Sequence, residues 1–185
     1  MQQDLFKPLL VVVTGLPGTG KSTIADLVAT ELRAPVLAHD WAMSGLRGYP
    51  EIQAALDSMV PLGHGPVGWS LLRALARAQL RRGSVVVLDG VARQAEVEMC
   101  RAVVRDEDAE MYLIETECSD LDIHRRRVEG RQRMIPDWYE LDWARVLRAR
   151  ETWVPLEGVD LKLDAADAWE MNAIRLRHVP ARLRR

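Results

Sequence analysis

Residues 9–22 read Leu-Leu-Val-Val-Val-Thr-Gly-Leu-Pro-Gly-Thr-Gly-Lys-Ser, and no other stretch restricts the fold as much. The unbroken apolar, largely β-branched run from Leu9 to Thr14 predicts a strand buried on both faces, as parallel sheets covered by helices require. Ser22 to Arg33 follows as a predicted helix, with Ile24, Leu27, Val28 and Leu32 on one face. Between them, Gly15 to Ser22 fits G-x-x-x-x-G-K-[ST]. Glycines let the backbone wrap so that successive N–H groups face one anion, and the helix N-terminus adds partial positive charge. A lysine at position 21 reaches β- and γ-phosphates, and a hydroxyl at position 22 suits Mg²⁺. Chance gives this pattern in about 1% of chains this long at average usage, and chance does not also set it between strand and helix. Gly15, Leu16, Pro17, Gly18, Thr19, Gly20, Lys21, Ser22 and Thr23 are therefore expected to hold a nucleoside triphosphate.

The rest of the chain repeats the strand–helix alternation. Pro35–His39 predicts a short second strand ending at Asp40. Residues 42–68, rich in Gly and Pro, predict loops around a helix near 51–59. A helix is expected from Val67 to Arg82, with Leu71, Leu72, Leu75 and Leu80 inward and Gly83 as its stop. Ser84–Leu88 reads as a third buried strand and Met111–Glu115 as a fourth, with a helix over 93–105 between them. Helix is predicted over 119–130 and again over 138–153, with a loop across 131–137. A weaker fifth strand, Val159–Leu163, precedes a last helix near 166–177. Such alternation predicts one α/β domain over 1–185, a parallel sheet with right-handed crossovers and helices on both faces.

Carboxylates at strand ends are the next candidates, because open α/β sheets bind ligands beyond the carboxyl ends of their strands. Asp89 follows the third strand, where an acidic group supports Mg²⁺; the bland alternative is an Asp-Gly turn. Asp40 follows the second strand and is a candidate base for an acceptor hydroxyl, against the alternative of a helix N-cap. His39 is read as a local structural residue. Residues 124–133 run His-Arg-Arg-Arg-Val-Glu-Gly-Arg-Gln-Arg. Arg127 and Arg131, four apart, would share a helix face and stabilise charge on a transferring phosphoryl group; Arg126 and Arg133 are the weaker candidates. The chain carries 22 Arg against Lys7, Lys21 and Lys162, so a solvated arginine face is the competing account. Trp138, Tyr139, Trp143 and Trp153 read as core anchors.

Net charge is −2, so no overall basic field draws nucleic acid or an anionic membrane. Two cysteines, Cys100 and Cys118, make no disulfide or metal pattern, and no signal peptide precedes the first strand; a cytoplasmic location is expected. The Arg-rich tail, 175–185, reads as a solvated terminus.

The order of phosphate loop, Asp40, Asp89 and Arg-x-x-x-Arg resembles the small P-loop kinases grouped with polynucleotide kinase, chloramphenicol phosphotransferase and the zeta-toxin-like kinases. That resemblance implies a P-loop NTPase three-layer fold, a five-stranded parallel sheet of order 2-3-1-4-5 and a helical lid. It implies ATP and Mg²⁺ as co-substrates, Asp40 as base, and Arg127 and Arg131 as phosphate-binding groups with Lys21. The expected activity is transfer of the γ-phosphate to a hydroxyl of a small molecule bound by residues 41–69, including Tyr49, His64 and Trp69, under a lid over 119–140. Two other readings stand beside it: a polynucleotide 5′-hydroxyl kinase, and a nucleotide-dependent ATPase or switch acting on a protein partner. Arg47, seven residues after Asp40, departs from the polynucleotide kinase spacing. No Asn-Lys-x-Asp element for guanine is present.

Overall fold

Strand β1 (Leu9–Gly15) is buried along its whole length at the centre of the molecule. In the computed structural model, which describes residues 7–59, 64–168 and 170–176, its side chains divide by parity. Leu10 and Val12 enter one core and Leu9, Val11 and Val13 the other, which is why the run has no polar interruption. Parallel partners lie on both sides: β3 (Val85–Asp89) and β4 (Glu110–Glu117), flanked by β2 (Val36–Ala38) and β5 (Leu161–Asp164). The order is β2-β3-β1-β4-β5, as the resemblance implied.

Helix α1 (Lys21–Leu32) covers one face through Ile24, Ala25, Val28 and Ala29. Helices α4 (His64–Leu80) and α5 (Gln94–Asp106) cover the other. The inward stripe of α4 differs from expectation. Trp69, Leu72, Ala76 and Leu80 are buried, whereas Leu71 and Leu75 are 38% and 50% exposed. Steps of three and four from Trp69 define one line along the helix, and Leu71 and Leu75 fall beside it. Full burial of a side chain the size of Trp69 contributes about 3 kcal/mol, and Leu72 and Leu80 on the same line add to it, which sets the helix's rotation.

The sheet's register sets the site. Val13 pairs with Asp89, and Asp89 with Ala38, so β2 and β3 end level with Val13, two residues before β1 does. The crevice between β1 and β3, where successive connections leave in opposite directions, is the switch point of such a sheet. Thr14 locks its rim: its hydroxyl donates to the Ala92 carbonyl (3.2 Å) and accepts from the Ala92 N–H (2.8 Å).

Short helices α2 (His39–Ser44) and α3 (Pro50–Ser58) follow β2. Above the loop lie α6 (Leu121–Glu129) and α7 (Trp143–Glu151), whose first turns are capped by Asp120 on the Ile123 N–H and Asp142 on the Arg145 N–H. The helix expected over 138–153 therefore begins only at Trp143, and 131–142 form a non-helical strap. Residues 170–176 are helical, and the remainder of the arginine tail lies outside the described residues. No described helix is long and apolar enough to cross a membrane.

Candidate functional site

The loop between β1 and α1 is fixed by three positive-φ glycines, Gly15, Gly18 and Gly20, and a chain of hydroxyls. Gly15 has φ 137°, and a side chain there would collide with the Thr116 carbonyl of β4. Gly20, at φ 86°, caps α1 and has open space where a Cβ would stand. Thr19 Oγ1 lies 2.7 Å from the Leu16 carbonyl oxygen and 2.7 Å from Thr116 Oγ1. Each hydroxyl has one proton, so either Thr116 donates to Thr19 and Thr19 to Leu16, or Thr19 donates to Thr116 and Thr116 to the Thr14 carbonyl at 3.2 Å. Lys21 Nζ donates to the Leu16 carbonyl at 3.0 Å. Burial pushes the Lys21 ammonium down to about 8, with Asp89 pulling it up and Arg131 adding to the depression. Such a lysine stands among groups that would favour an incoming anion.

Asp89, at the end of β3, is 7% exposed and its Oδ1 finds no hydrogen-bond partner among the described residues. Burial raises its carboxyl above the usual carboxylate range, against the pull of the Lys21 ammonium and the Ser22 hydroxyl. Buried oxygens are rarely left unsatisfied, and an unpartnered carboxylate oxygen beside a serine hydroxyl suits a hard divalent cation. No cluster of three His, Cys, Asp or Glu exists among the described residues. The donor set thus fits Mg²⁺, which takes few protein ligands and fills its shell with phosphate and water.

Asp40 stands in the first turn of α2 rather than capping it; Ala38 is the cap residue. Its Oδ1 lies 3.2 Å from His39 Nδ1, and its Oδ2 accepts from Arg133. His39 Nε2 lies 3.1 Å from the Gly65 carbonyl of α4, so the ring braces Asp40 against that helix. Burial pushes the Asp40 carboxyl up, but the His39 hydrogen bond and the Arg133 guanidinium outweigh it and hold it below its ordinary value.

Arg127 and Arg131 both line a hollow of about 340 Å³ over Gly18, Gly20 and Ser22. They do not share a helix face, because α6 ends at Glu129 and Arg131 lies on the strap. Gly130 is the C-cap residue that ends the helix. Arg131 Nε is buried without a hydrogen bond, 3.9 Å from Glu140. Burial and the adjacent Arg133 lower the pKa of its guanidinium.

A second hollow, about 920 Å³, opens beside the first, between α2, α4 and the strap. Lys21, Asp40, Trp41, Trp69, Arg133 and Tyr139 are among its walls. Of the residues expected around an acceptor, Trp69 lines this hollow, whereas Tyr49 and His64 do not, and His64 pairs with Asp57. Trp138 and Tyr139 are not core anchors. They stack at 4.9 Å, half-buried on the strap, with the Arg47 guanidinium 5.2 and 5.4 Å from their rings. Arg47 clasps the strap and does not face the cleft. Arg133, ranked low from sequence, is its main anchor: it bonds Asp40, Glu140 and the Tyr139 carbonyl. No local signal marks a pair 93 residues apart. His124 was also missed; its spacing of four from Val128 on the buried face of α6 was the available signal.

Residues 10–156 match a family model described as an AAA domain, a span that holds the loop, both aspartates and the arginines. The chain belongs to the AAA domain family. One curated relative of this AAA domain, a UPF0200 protein from Aeropyrum pernix, is 33% identical over 97 residues, 49% of this chain and 50% of that protein. The chain spans about half the length of that relative. A candidate kinase from Chloroflexus aurantiacus is similar in structure with a TM-score of 0.72 at 23% identity, over 95% of this chain and 98% of that one. The APS kinase of Mycobacterium tuberculosis, in complex with AMPPNP and APS, gives 0.59 at 20% identity, over 93% and 98%. At these identities the likeness is one of fold: the AAA domain here has the architecture of the small P-loop kinases.

Proposed function

We propose that this chain is an ATP-dependent phosphotransferase that moves a γ-phosphoryl group to a hydroxyl of a small molecule. One observation carries the reading: the hollow over the glycine loop and the larger cleft share Lys21, Ser22 and Arg131. A donor held by the loop would present its terminal phosphate where the cleft begins, which is what in-line transfer between two bound substrates needs. A structural neighbour of this architecture binds two molecules together, AMPPNP and APS, which supports a reading with two bound substrates.

The loop amides of residues 15–23 and the Lys21 ammonium hold the polyphosphate. Ser22 and Asp89 would hold Mg²⁺, which neutralises phosphate charge when bound. Arg127 and Arg131 approach from the lid side, and their guanidinium groups stabilise charge that spreads to the equatorial oxygens. Asp40, ionised at neutral pH, orients the acceptor hydroxyl and accepts its proton; its oxygens retain lone pairs beyond those used by His39 and Arg133. The acceptor region is about 41–69, and the lid, about 119–140, includes most of the strap that faces it.

The test is a panel of hydroxyl compounds, including a 5′-hydroxyl oligonucleotide, incubated with γ-labelled ATP and either the wild type or Asp40→Asn. A labelled small molecule is expected, with transfer in Asp40→Asn down by ~10²-fold or more and nucleotide binding near normal. Full transfer by Asp40→Asn would remove the base. Label appearing only on the oligonucleotide, or only as free phosphate, would replace the small-molecule reading with the polynucleotide or ATPase one.

A further inference from the structure

His124 plays no part in the transfer steps above, yet it is wholly buried on the inner face of α6, one turn before Val128. Its Nε2 lies 2.7 Å from the Pro17 carbonyl oxygen, inside the phosphate loop. Its Nδ1 lies 3.4 Å from an Arg150 guanidinium nitrogen on α7, and that nitrogen also donates to the Cys118 carbonyl at 2.9 Å. Trp143 packs edge-on against the ring at 5.2 Å. These partners decide where the proton is. A carbonyl only accepts, so Nε2 carries the hydrogen; a guanidinium only donates, so Nδ1 is bare. Burial lowers the imidazole's pKa, the Pro17 carbonyl opposes that, and the Arg150 charge reinforces it.

A trans peptide points its C=O and N–H in opposite directions. With the Pro17 carbonyl tied to α6, the N–H of Gly18 must turn away from α6. The loop has no slack at this point. Gly18 is at φ 86°, and a Cβ there would stand 2.5 Å from Val128 Cγ2 and 3.2 Å from His124 Cδ2. Gly18 and Arg127, the latter on the same helix as His124, both line the hollow over the loop.

We propose that His124, as the neutral Nε2–H tautomer, is a positioning residue for triphosphate binding: it fixes the orientation of the Pro17–Gly18 peptide beside the phosphate hollow and ties the loop to the helix that carries Arg127. The ring is a fixed donor whose orientation Arg150 sets. Lid helix and phosphate loop then move as one body.

Glutamine and asparagine separate this role from simple packing. A Gln amide nitrogen falls near the place of Nε2, whereas an Asn amide nitrogen falls near the place of Nδ1. Titration calorimetry with Mg·ATP, run well below each protein's Tm, compares wild type, His124→Gln, His124→Asn and His124→Leu. The expected result is affinity within about threefold of wild type for His124→Gln and about tenfold or more weaker for the other two. A packing role would lower Tm in all three and leave the folded proteins binding alike. Wild-type affinity in folded His124→Asn, or equal loss in His124→Gln and His124→Leu, overturns the proposal. Should the variants fail to fold, long-range ¹H–¹⁵N spectra of the wild-type ring decide it, since an Nδ1–H tautomer or an imidazolium at neutral pH contradicts the geometry. Absence of uptake by the wild type would remove the ligand reading itself, whereas equal uptake by wild type and His124→Asn removes only the role of His124.

Discussion

Lys21 rests on the Leu16 carbonyl at 3.0 Å, and burial brings its pKa to about 8. A triphosphate would take that ammonium over and raise its pKa, since an adjacent anion favours the charged form. The sign of the pH effect follows. Below about pH 8 the lysine is already protonated, so binding takes up no proton; above it, binding must take one up, and affinity falls by up to about tenfold per pH unit until the pKa of the bound form is passed. Calorimetry at about pH 7 and about pH 9, in buffers of different ionisation heat, measures this directly. Proton uptake and weaker binding are expected at the higher pH only; binding equal at both without uptake would contradict the assignment. The loop itself was legible because its pattern is local. Asp89 was legible as a strand-end carboxylate; Asp40 lies two residues past β2, in the first turn of α2, and its partner Arg133 was not legible, since only the folded strap brings them together.

Element boundaries show which local signals outweighed others. Spacing placed Leu71 and Leu75 inward on α4, yet the buried line runs through Trp69, Leu72, Ala76 and Leu80, and together these four outweigh the two leucines beside it. Arg127 and Arg131 were read as one helix face, but α6 ends at Glu129, and the strap returns Arg131 to the same hollow by another route. Asp142, not the upstream aromatics, starts α7, since its carboxylate accepts from the Arg145 N–H at 2.7 Å. The tie between β1 and the turn after β3 is a stability element in its own right. Thr14→Val keeps the shape but removes the hydroxyl, leaving both the N–H and the C=O of Ala92 without that partner in a buried place. A loss of about 2 kcal/mol is expected, or roughly 4–8 °C in Tm for a chain of this size. An unchanged melting curve would show that this tie does not hold the rim.

For the molecule as a whole, alternating strands and helices carried the fold, because a buried parallel sheet leaves few ways to connect its strands. The strand order came from the family resemblance, not from any residue pattern. The row Val13, Asp89, Ala38 then sets loop, candidate metal carboxylate and candidate base along one edge. The larger cleft was less legible: its walls come from α2, α4 and a non-helical strap, segments distant in sequence whose meeting no periodicity records. The account as a whole depends on a triphosphate seated on the glycine loop and gripped by Lys21. Titration calorimetry of the full chain with Mg·ATP, beside Lys21→Ala, tests that most directly. One-to-one binding by the wild type and loss of about 100-fold or more in Lys21→Ala is the predicted result. No binding by the wild type, or equal binding by both proteins, would contradict it.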